Sequence, residues 1–135
     1  IGNRCILANG ATLGGHVIIE DHVGIGAFSG VHQFCRVGKH AYVGGYSVVT
    51  QDVMPYSLTV TPRQAKVFGA NRTGLERRGF PAATIHGLHR AFRLLSHAGL
   101  NTSQAIERIR AQVRPFPELE ELIRFIQASE RGCIK

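Results

Sequence analysis

Aliphatic residues recur at every sixth position along the N-terminal part of the chain. From Ile1 to Met54 the sequence divides without a gap into nine hexads, and the first position of every hexad is aliphatic: Ile1, Leu7, Leu13, Ile19, Ile25, Val31, Val37, Val43 and Val49. The fifth position is always small or β-branched, from Cys5 to Val53. Because aliphatic residues make up only about a third of ordinary sequences, this regularity indicates a true internal repeat.

A hexad with one aliphatic and one small residue pointing inward predicts a short strand followed by a turn. Three such hexads close a triangular coil, and coils stack at about 4.8 Å, the spacing of parallel strands. Residues three hexads apart in the sequence then lie above one another, and residues 1–54 form about three coils of a parallel β-helix. An antiparallel β-sandwich is disfavoured, because its strands alternate every two residues and its turns are irregular.

Helical spacing replaces the hexads towards the C-terminus and predicts a small three-helix domain over residues 81–135. Pro81 begins the first helix, Asn101 or Thr102 caps the second, and Pro117 lies in the first turn of the third, where its missing N–H does no harm. The apolar residues at helical spacing are Ile85, Leu88, Phe92, Leu95, Ile106, Ile109, Val113, Leu119, Leu122, Ile123 and Ile126.

Residues 55–80 are predicted to be a basic connecting loop. The chain carries a net charge of +7, and this short segment holds five of the cations against Glu76 alone. Such a concentration suits a compact anion, such as a diphosphate or phosphopantetheine, and not a nucleic acid, whose binders spread cations and stacking aromatics over one face. Nucleic acid is therefore not an expected partner. No apolar run approaches the roughly 20 residues of a membrane span, so no membrane span is expected.

The three cysteines show no metal-binding spacing, so we expect no metal site and a reduced cytoplasmic setting. Cys5 and Cys35 are interpreted as small core residues at equivalent repeat positions. Because the repeat is already running at Ile1, we also expect that an N-terminal part of the protein precedes this chain.

Several local strings resemble those of the UDP-N-acetylglucosamine O-acyltransferases of lipid A biosynthesis. The most specific are Val31-His32-Gln33-Phe34-Cys35 and Gly74-Leu75-Glu76-Arg77-Arg78-Gly79-Phe80. The resemblance covers essentially the whole chain, apart from a poor match over residues 61–66. It implies an all-β left-handed parallel β-helix followed by a small α-helical domain, the left-handedness resting on the resemblance alone.

The resemblance also implies an enzyme. Members of this family transfer a 3-hydroxyacyl group from acyl carrier protein to the 3-hydroxyl of UDP-N-acetylglucosamine, the first step of lipid A biosynthesis. They act as homotrimers with the active site in a cleft between subunits, and they need no cofactor, since phosphopantetheine arrives on the acyl carrier protein. The family's general base is a histidine that would fall shortly before Ile1, so the chain from Ile1 to Lys135 alone is predicted to be inactive.

Site residues carried over from the family fall in both halves of the chain. By the resemblance, the backbone N–H of Gly15 faces the thioester oxygen, His16 supports the base, and Gly45 limits the length of the acyl chain. Read without the resemblance, Gly15 and Gly45 are equally turn glycines. The residues implied to contact the sugar nucleotide and its phosphates are His32, Gln33, Asn71, Arg77 and Arg78.

Three alternatives stay open at the level of sequence. A variant that acylates a 3-amino sugar, or the N-acyltransferase that acts later in the pathway, would be a related enzyme. A catalytically silent scaffold or binding module would be a different class of protein.

His22 and His40, three hexads apart and in one column with Arg4, indicate a surface or subunit contact.

Overall fold

The computed structural model describes residues 1–60, 66–97 and 99–135. Its first part is a parallel β-solenoid of about three turns, as the hexads predict. Eight two-residue strands, β1 to β8, each join the last residue of one hexad to the first residue of the next: Ile6–Leu7, Thr12–Leu13, Ile18–Ile19, Gly24–Ile25, Gly30–Val31, Arg36–Val37, Tyr42–Val43 and Val48–Val49.

Strands three hexads apart pair in parallel, which confirms the predicted three-hexad coil. Ile6 lies opposite Gly24, which lies opposite Tyr42 in the next coil. The pairs build three sides of a triangular prism: sheet A contains β1, β4 and β7, sheet B contains β2, β5 and β8, and sheet C contains β3 and β6.

Turns at the third and fourth positions of each hexad form the corners of the prism. Following the chain, the first corner (residues 3–4, 21–22 and 39–40) precedes sheet A. The second corner (9–10, 27–28 and 45–46) lies between sheets A and B, and the third corner (15–16 and 33–34) lies between sheets B and C. Sheet A is therefore the side opposite the third corner.

The prism interior holds the first and fifth positions of the hexads. Val23, Cys35, Val37 and Val43 are fully buried, which agrees with the interpretation of Cys35 as a small core residue. The buried hydroxyl of Ser47 donates to the Gly44 carbonyl at 2.6 Å, so a polar side chain is accommodated by bonding to the backbone.

Residues 55–80 contain regular structure, so their assignment as a loop is wrong. Strand β9 (Ser57–Val60) pairs in parallel with β7 and antiparallel with β10 (Lys66–Ala70), and both extend sheet A. Helix α1 (Arg72–Arg77) follows. Residues 61–65, which belong to the same predicted loop and to the poorly matching stretch, lie outside the described residues.

Three further helices confirm the prediction for the C-terminal part. They are α2 (Ala82–Leu95), α3 (Thr102–Gln112) and α4 (Pro117–Gln127). Asn101 caps α3 through a reciprocal hydrogen-bond pair with Gln104, and Pro117 occupies the first turn of α4. None of the helices in the described ranges is both long and apolar enough to span a membrane.

Helix α4 packs on the last coil of the solenoid through the face that carries Glu121 and Phe125. The carboxylate of Glu121 accepts a hydrogen bond from the Tyr56 hydroxyl and pairs with the Lys39 ammonium. Burial, followed by this bond to Glu121, raises the pKa of Tyr56, so its hydroxyl stays protonated as the donor. The Arg36 guanidinium lies 4.3 Å from the Phe125 ring centroid and adds a cation–π contact to the same junction.

Candidate functional site

Side chains at the fourth hexad position form columns along the three corners. These residues adopt left-handed backbone conformations, with φ between 53° and 66° at non-glycine positions: Arg4, His16, His22, Phe28, Phe34, His40 and Tyr46. Three pairs of these side chains stack one coil apart: His16 on Phe34, His22 on His40 and Phe28 on Tyr46. The repeat thereby concentrates rings and charges at its edges.

The third corner brings together four of the residues implicated by the resemblance. Gly15, His32 and Gln33 line one open groove on sheet B, the third-corner groove. The His16 ring beside this groove stacks on the Phe34 ring, with the ring centroids 5.0 Å apart and an angle of 3° between the ring planes. Because hexads three and six lie one above the other, these residues share one face of the solenoid.

The backbone of Gly15 is free of the constraints that usually require glycine. Its φ lies outside the left-handed region, and a Cβ atom built on it would meet no atom within 4 Å. In the described part of the chain no backbone carbonyl accepts a hydrogen bond from its N–H, whereas its carbonyl accepts from Phe34 N at 3.1 Å. An exposed N–H with no backbone partner is the geometry that an oxyanion donor needs.

The Gln33 carbonyl oxygen has two side-chain neighbours at the third corner. His32 Nδ1 lies 3.1 Å from it, and Arg131 Nη1 donates a hydrogen bond to it at 3.1 Å. Sequence reasoning missed Arg131, which lies far from Gln33 along the chain. No sequence pattern connects these two residues, so nothing in the sequence alone pointed to their contact.

A second site, the sheet A cleft, lies between sheet A and α1 and encloses about 680 Å³. Its wall is apolar on the solenoid side, with Ile6, Ile25 and Ala27, and basic on the helix side, with Arg77 and Arg78. A cleft with one apolar and one cationic wall suits an amphipathic anion.

Asn71, also predicted to bind the nucleotide, has an internal role in this cleft. Its side-chain oxygen accepts from Gly74 N at 3.2 Å and caps α1, and its side-chain nitrogen donates to the His40 carbonyl at 3.0 Å. The residue is 8% exposed. Asn71 thus orients α1 against the first corner and places the two arginines that follow.

Arg77 and Arg78 differ in how firmly they are held. Arg78 donates from Nη1 to the Gly74 carbonyl at 3.2 Å and from Nη2 to the His22 carbonyl at 3.0 Å. Arg77 is exposed and, within the ranges that the structure covers, its guanidinium has no hydrogen bond to another residue. Arg77 is therefore the cation available to an incoming anion, while Arg78 also ties α1 to the first corner.

Gly45 lies at the second corner, outside both grooves. A Cβ atom on it would lie 3.2 Å from the Ala27 carbonyl oxygen, and its φ is not left-handed. The alternative interpretation of Gly45 as a turn glycine that needs positive φ is therefore wrong. Its role as a limit on acyl length stays a prediction.

The first corner carries the predicted histidine column. The imidazole rings of His22 and His40 stack with centroids 4.7 Å apart, and Arg4, Arg77 and Arg78 border the same groove. Burial, and then the positive charges of His22, Arg78 and Lys39, lower the pKa of His40 to about 4. Among the described residues no group of three or more His, Cys, Asp and Glu side chains is arranged to hold a metal ion.

Comparison with known proteins identifies relatives along the whole chain. Residues 52–134 match the family described as Udp N-acetylglucosamine O-acyltransferase, domain 2, and residues 16–51 match the bacterial transferase hexapeptide repeat. The acyl-[acyl-carrier-protein]--UDP-N-acetylglucosamine O-acyltransferase of Aliivibrio salmonicida is 42% identical over 135 residues, which cover this chain completely and 51% of the relative.

Solved structures give the same result. LpxA from Acinetobacter baumannii superposes with a TM-score of 0.90 at 38% identity, over 98% of this chain and 51% of that one. The UDP-N-acetylglucosamine O-acyltransferase of Moraxella catarrhalis superposes with a TM-score of 0.89 at 37% identity, over 100% of this chain and 52% of that one. The chain spans about half the length of the curated relatives it matches. On the evidence of its repeat, its helical domain and these matches, the chain belongs to the UDP-N-acetylglucosamine O-acyltransferase family.

Proposed function

We propose that this chain forms the C-terminal half of a cytoplasmic enzyme that transfers a 3-hydroxyacyl group from acyl carrier protein to the 3-hydroxyl of UDP-N-acetylglucosamine. We further propose that the enzyme is a homotrimer in which each active site combines the third-corner groove of one subunit with the sheet A cleft of its neighbour.

The observation that carries this proposal is the placement of the two sites on the prism. The third-corner groove holds Gly15, His32 and Gln33, and the sheet A cleft holds Arg77 and Arg78. Because sheet A is opposite the third corner, the two sites face in different directions on one subunit. A closed ring of three identical prisms allows a corner of each subunit to face a side of the next.

At the third corner the chemistry is acyl transfer. The Gly15 N–H is oriented to donate to the oxygen of the thioester as negative charge develops on it. Preorganised donors of this kind stabilise the transition state of acyl transfer. His16, stacked on Phe34, supports the base that takes the proton from the sugar hydroxyl. In this proposal the third-corner residues of this chain bind and orient the substrates around that base.

At the sheet A cleft the chemistry is anion binding. The planar guanidinium of Arg77 offers paired donors that match phosphate oxygens, and Arg78 adds a second positive charge. His32 and Gln33 of the facing subunit then contact the sugar end of the same nucleotide. The acceptor would be held at its diphosphate by one subunit and at its sugar by the other.

Mixed trimers test both halves of the proposal. In the protein that contains this chain, His16→Ala impairs the third corner and Arg77→Ala impairs the cleft, so each variant alone is expected to lose most of its transfer activity. Equal amounts of the two, unfolded and refolded together, should recover about a quarter of the wild-type rate, because random assembly pairs an intact corner with an intact cleft at one site in four.

The control is the same mixture prepared from separately refolded variants, which should remain inactive. If the co-refolded mixture stays as inactive as its components, the shared site is wrong. Absence of 3-hydroxyacyl transfer by the wild-type protein would show that the assigned reaction is wrong.

A further inference from the structure

The C-terminal segment returns to the solenoid after α4 and lies against the last hexad. Asp52 N donates to the Gly132 carbonyl at 3.0 Å, and Ile134 N donates to the Asp52 carbonyl at 2.9 Å. Asp52 and Cys133 form an isolated parallel bridge, and the Ile134 side chain is buried. The tail is thus a docked element of the fold with a defined register.

The carboxylate of Asp52 anchors this segment. It is 2% exposed, and both of its oxygens are bonded: Oδ1 accepts from Arg36 N at 2.8 Å and Oδ2 from the Ser129 hydroxyl at 2.7 Å. A buried carboxylate requires such partners. Because Arg36 belongs to the solenoid and Ser129 to the tail, Asp52 fixes where the tail lies.

Arg131 extends from the anchored tail to the third corner. Its own carbonyl accepts from Gln51 Nε2 at 3.4 Å, and the chain turns at Gly132 with φ of 74°. From this position Arg131 Nη1 reaches the Gln33 carbonyl, the same oxygen that His32 Nδ1 approaches. A carbonyl oxygen only accepts hydrogen bonds, so the guanidinium is the donor in its contact with Gln33.

We propose that Arg131 is a positioning residue for the acceptor nucleotide. By holding the Gln33 carbonyl it fixes the backbone that carries His32 and Gln33, so that both side chains keep the orientation in which they line the third-corner groove. The inference rests on the proposed function, in which His32 and Gln33 contact the sugar nucleotide.

The expected consequence of losing Arg131 is weaker acceptor binding with unchanged chemistry. Arg131→Ala should raise the KM for UDP-N-acetylglucosamine by about 3- to 10-fold, the effect of one hydrogen bond. The kcat and the KM for the acyl donor should stay within about twofold, because binding is lost equally in the ground state and the transition state. A purely structural role would lower kcat, through loss of folded enzyme, at an unchanged KM.

Two variants accompany Arg131→Ala. Arg131→Lys keeps a cationic donor near Gln33 and should restore part of the acceptor affinity, although an ammonium lacks the planar fork of a guanidinium. Arg124→Ala removes an exposed arginine from α4 and should leave both KM values unchanged. An unchanged acceptor KM in Arg131→Ala, or a loss of kcat alone with a lower Tm, would overturn the inference.

Hydrogen–deuterium exchange separates this inference from the proposed function. Peptides covering residues 31–36 should exchange faster in Arg131→Ala than in Arg124→Ala or the wild type, and equal exchange would count against the positioning role. If the wild-type protein shows no transfer, the proposed function fails, while the exchange measurement still decides whether Arg131 orders this turn.

Discussion

The imidazole rings of His22 and His40 lie parallel, one coil above the other, with centroids 4.7 Å apart. His40 is also contacted edge-on by the Phe80 ring, and its Nδ1 is buried without a hydrogen-bond partner among the described residues. A proton on this ring would be poorly solvated and close to other positive charges. Protonation of His40 is therefore disfavoured in the folded state.

His40 should make the stability of the fold depend on pH. Its pKa is about 4 in the folded state, against an ordinary value of 6.5 for histidine. Between these values the unfolded chain binds more protons than the folded one, so the contribution of His40 to stability is lost as pH falls from 6.5 towards 4. Thermal unfolding of His40→Phe should show a flatter dependence of Tm on pH in this window.

A control for this prediction is His86→Phe, which replaces an exposed histidine on α2. It should retain the wild-type pH dependence. Identical Tm profiles for the wild type and His40→Phe would mean that His40 does not titrate abnormally.

Substitution by alanine should reduce stability at Gly14 and leave it almost unchanged at Gly15. A Cβ atom on Gly14 would lie 2.6 Å from Gln33 N, whereas one on Gly15 would meet nothing within 4 Å. Gly14→Ala should therefore lower the free energy of unfolding by about 1–3 kcal/mol, the usual cost of overpacking. Gly15→Ala should change it by less than about 0.5 kcal/mol, as at an unconstrained surface position.

Activity separates the two glycines further. If Gly15 N–H faces the thioester oxygen, the added methyl group stands where the donor approaches, and kcat should fall by about 10- to 100-fold through misplacement of the reacting group. Transfer rates and urea unfolding of both variants test this. A Gly15→Ala variant with normal folding and normal kcat would remove Gly15 from the site.

Gly45→Met should shorten the acyl chain that the enzyme accepts. Gly45 lies above Ala27, and a larger side chain there would fill space along the second corner. In the protein that contains this chain, kcat/KM for long 3-hydroxyacyl donors should fall by roughly 10- to 200-fold, the scale of discrimination for one or more methylene groups. Shorter donors should be spared, and the affinity for the UDP-sugar should stay the same.

The comparison variant is Gly45→Ala, whose single methyl group should have a smaller effect on the same donors. Because φ at Gly45 is not left-handed, neither variant carries the backbone penalty that a turn glycine would impose. An equal loss for long and short donors, accompanied by a lower Tm, would refute a role in measuring chain length.

Asp52→Ala should destabilise the protein strongly. Asp52 is 2% exposed, and the substitution leaves Arg36 N and the Ser129 hydroxyl without their acceptor in this buried site. We therefore expect the free energy of unfolding to fall by about 3 kcal/mol. Urea unfolding measures this loss, and Glu107→Ala, at an exposed position of α3, serves as the control with a change below about 0.5 kcal/mol. A small loss in Asp52→Ala would show that the tail is held by other contacts.

The parts of the fold that sequence could predict are those in which one physical rule repeats. The hexads gave the coil length because every sixth residue must fill the same interior, and the helices followed from apolar spacing and from the capping residue Asn101. The hairpin of β9 and β10 escaped prediction because its inward residues include polar Ser57 and Thr59, which are fully buried, and because a register shift interrupts its pairing.

In the candidate site, too, residues within the repeat could be predicted and residues outside it could not. Gly15, His32 and Gln33 lie within three hexads of one another along a repeat of known geometry, so their convergence could be predicted. Arg131 could not, since its contact with Gln33 depends on how α4 packs and where the tail turns. Asn71 was assigned to the ligand, although its side-chain oxygen caps α1 and its side-chain nitrogen holds the first corner.

The corners make surface chemistry and folding inseparable in this solenoid. Within the described chain, eight residues other than glycine hold a left-handed backbone, a conformation that costs each about 1 kcal/mol or more. At Phe28 and Tyr46 the stacked rings, with centroids 5.4 Å apart, offset part of that cost. Redesigning an outward-facing corner residue to alter what the protein binds would therefore also change how readily the turn forms, so specificity and thermal tolerance would be expected to evolve together at these positions.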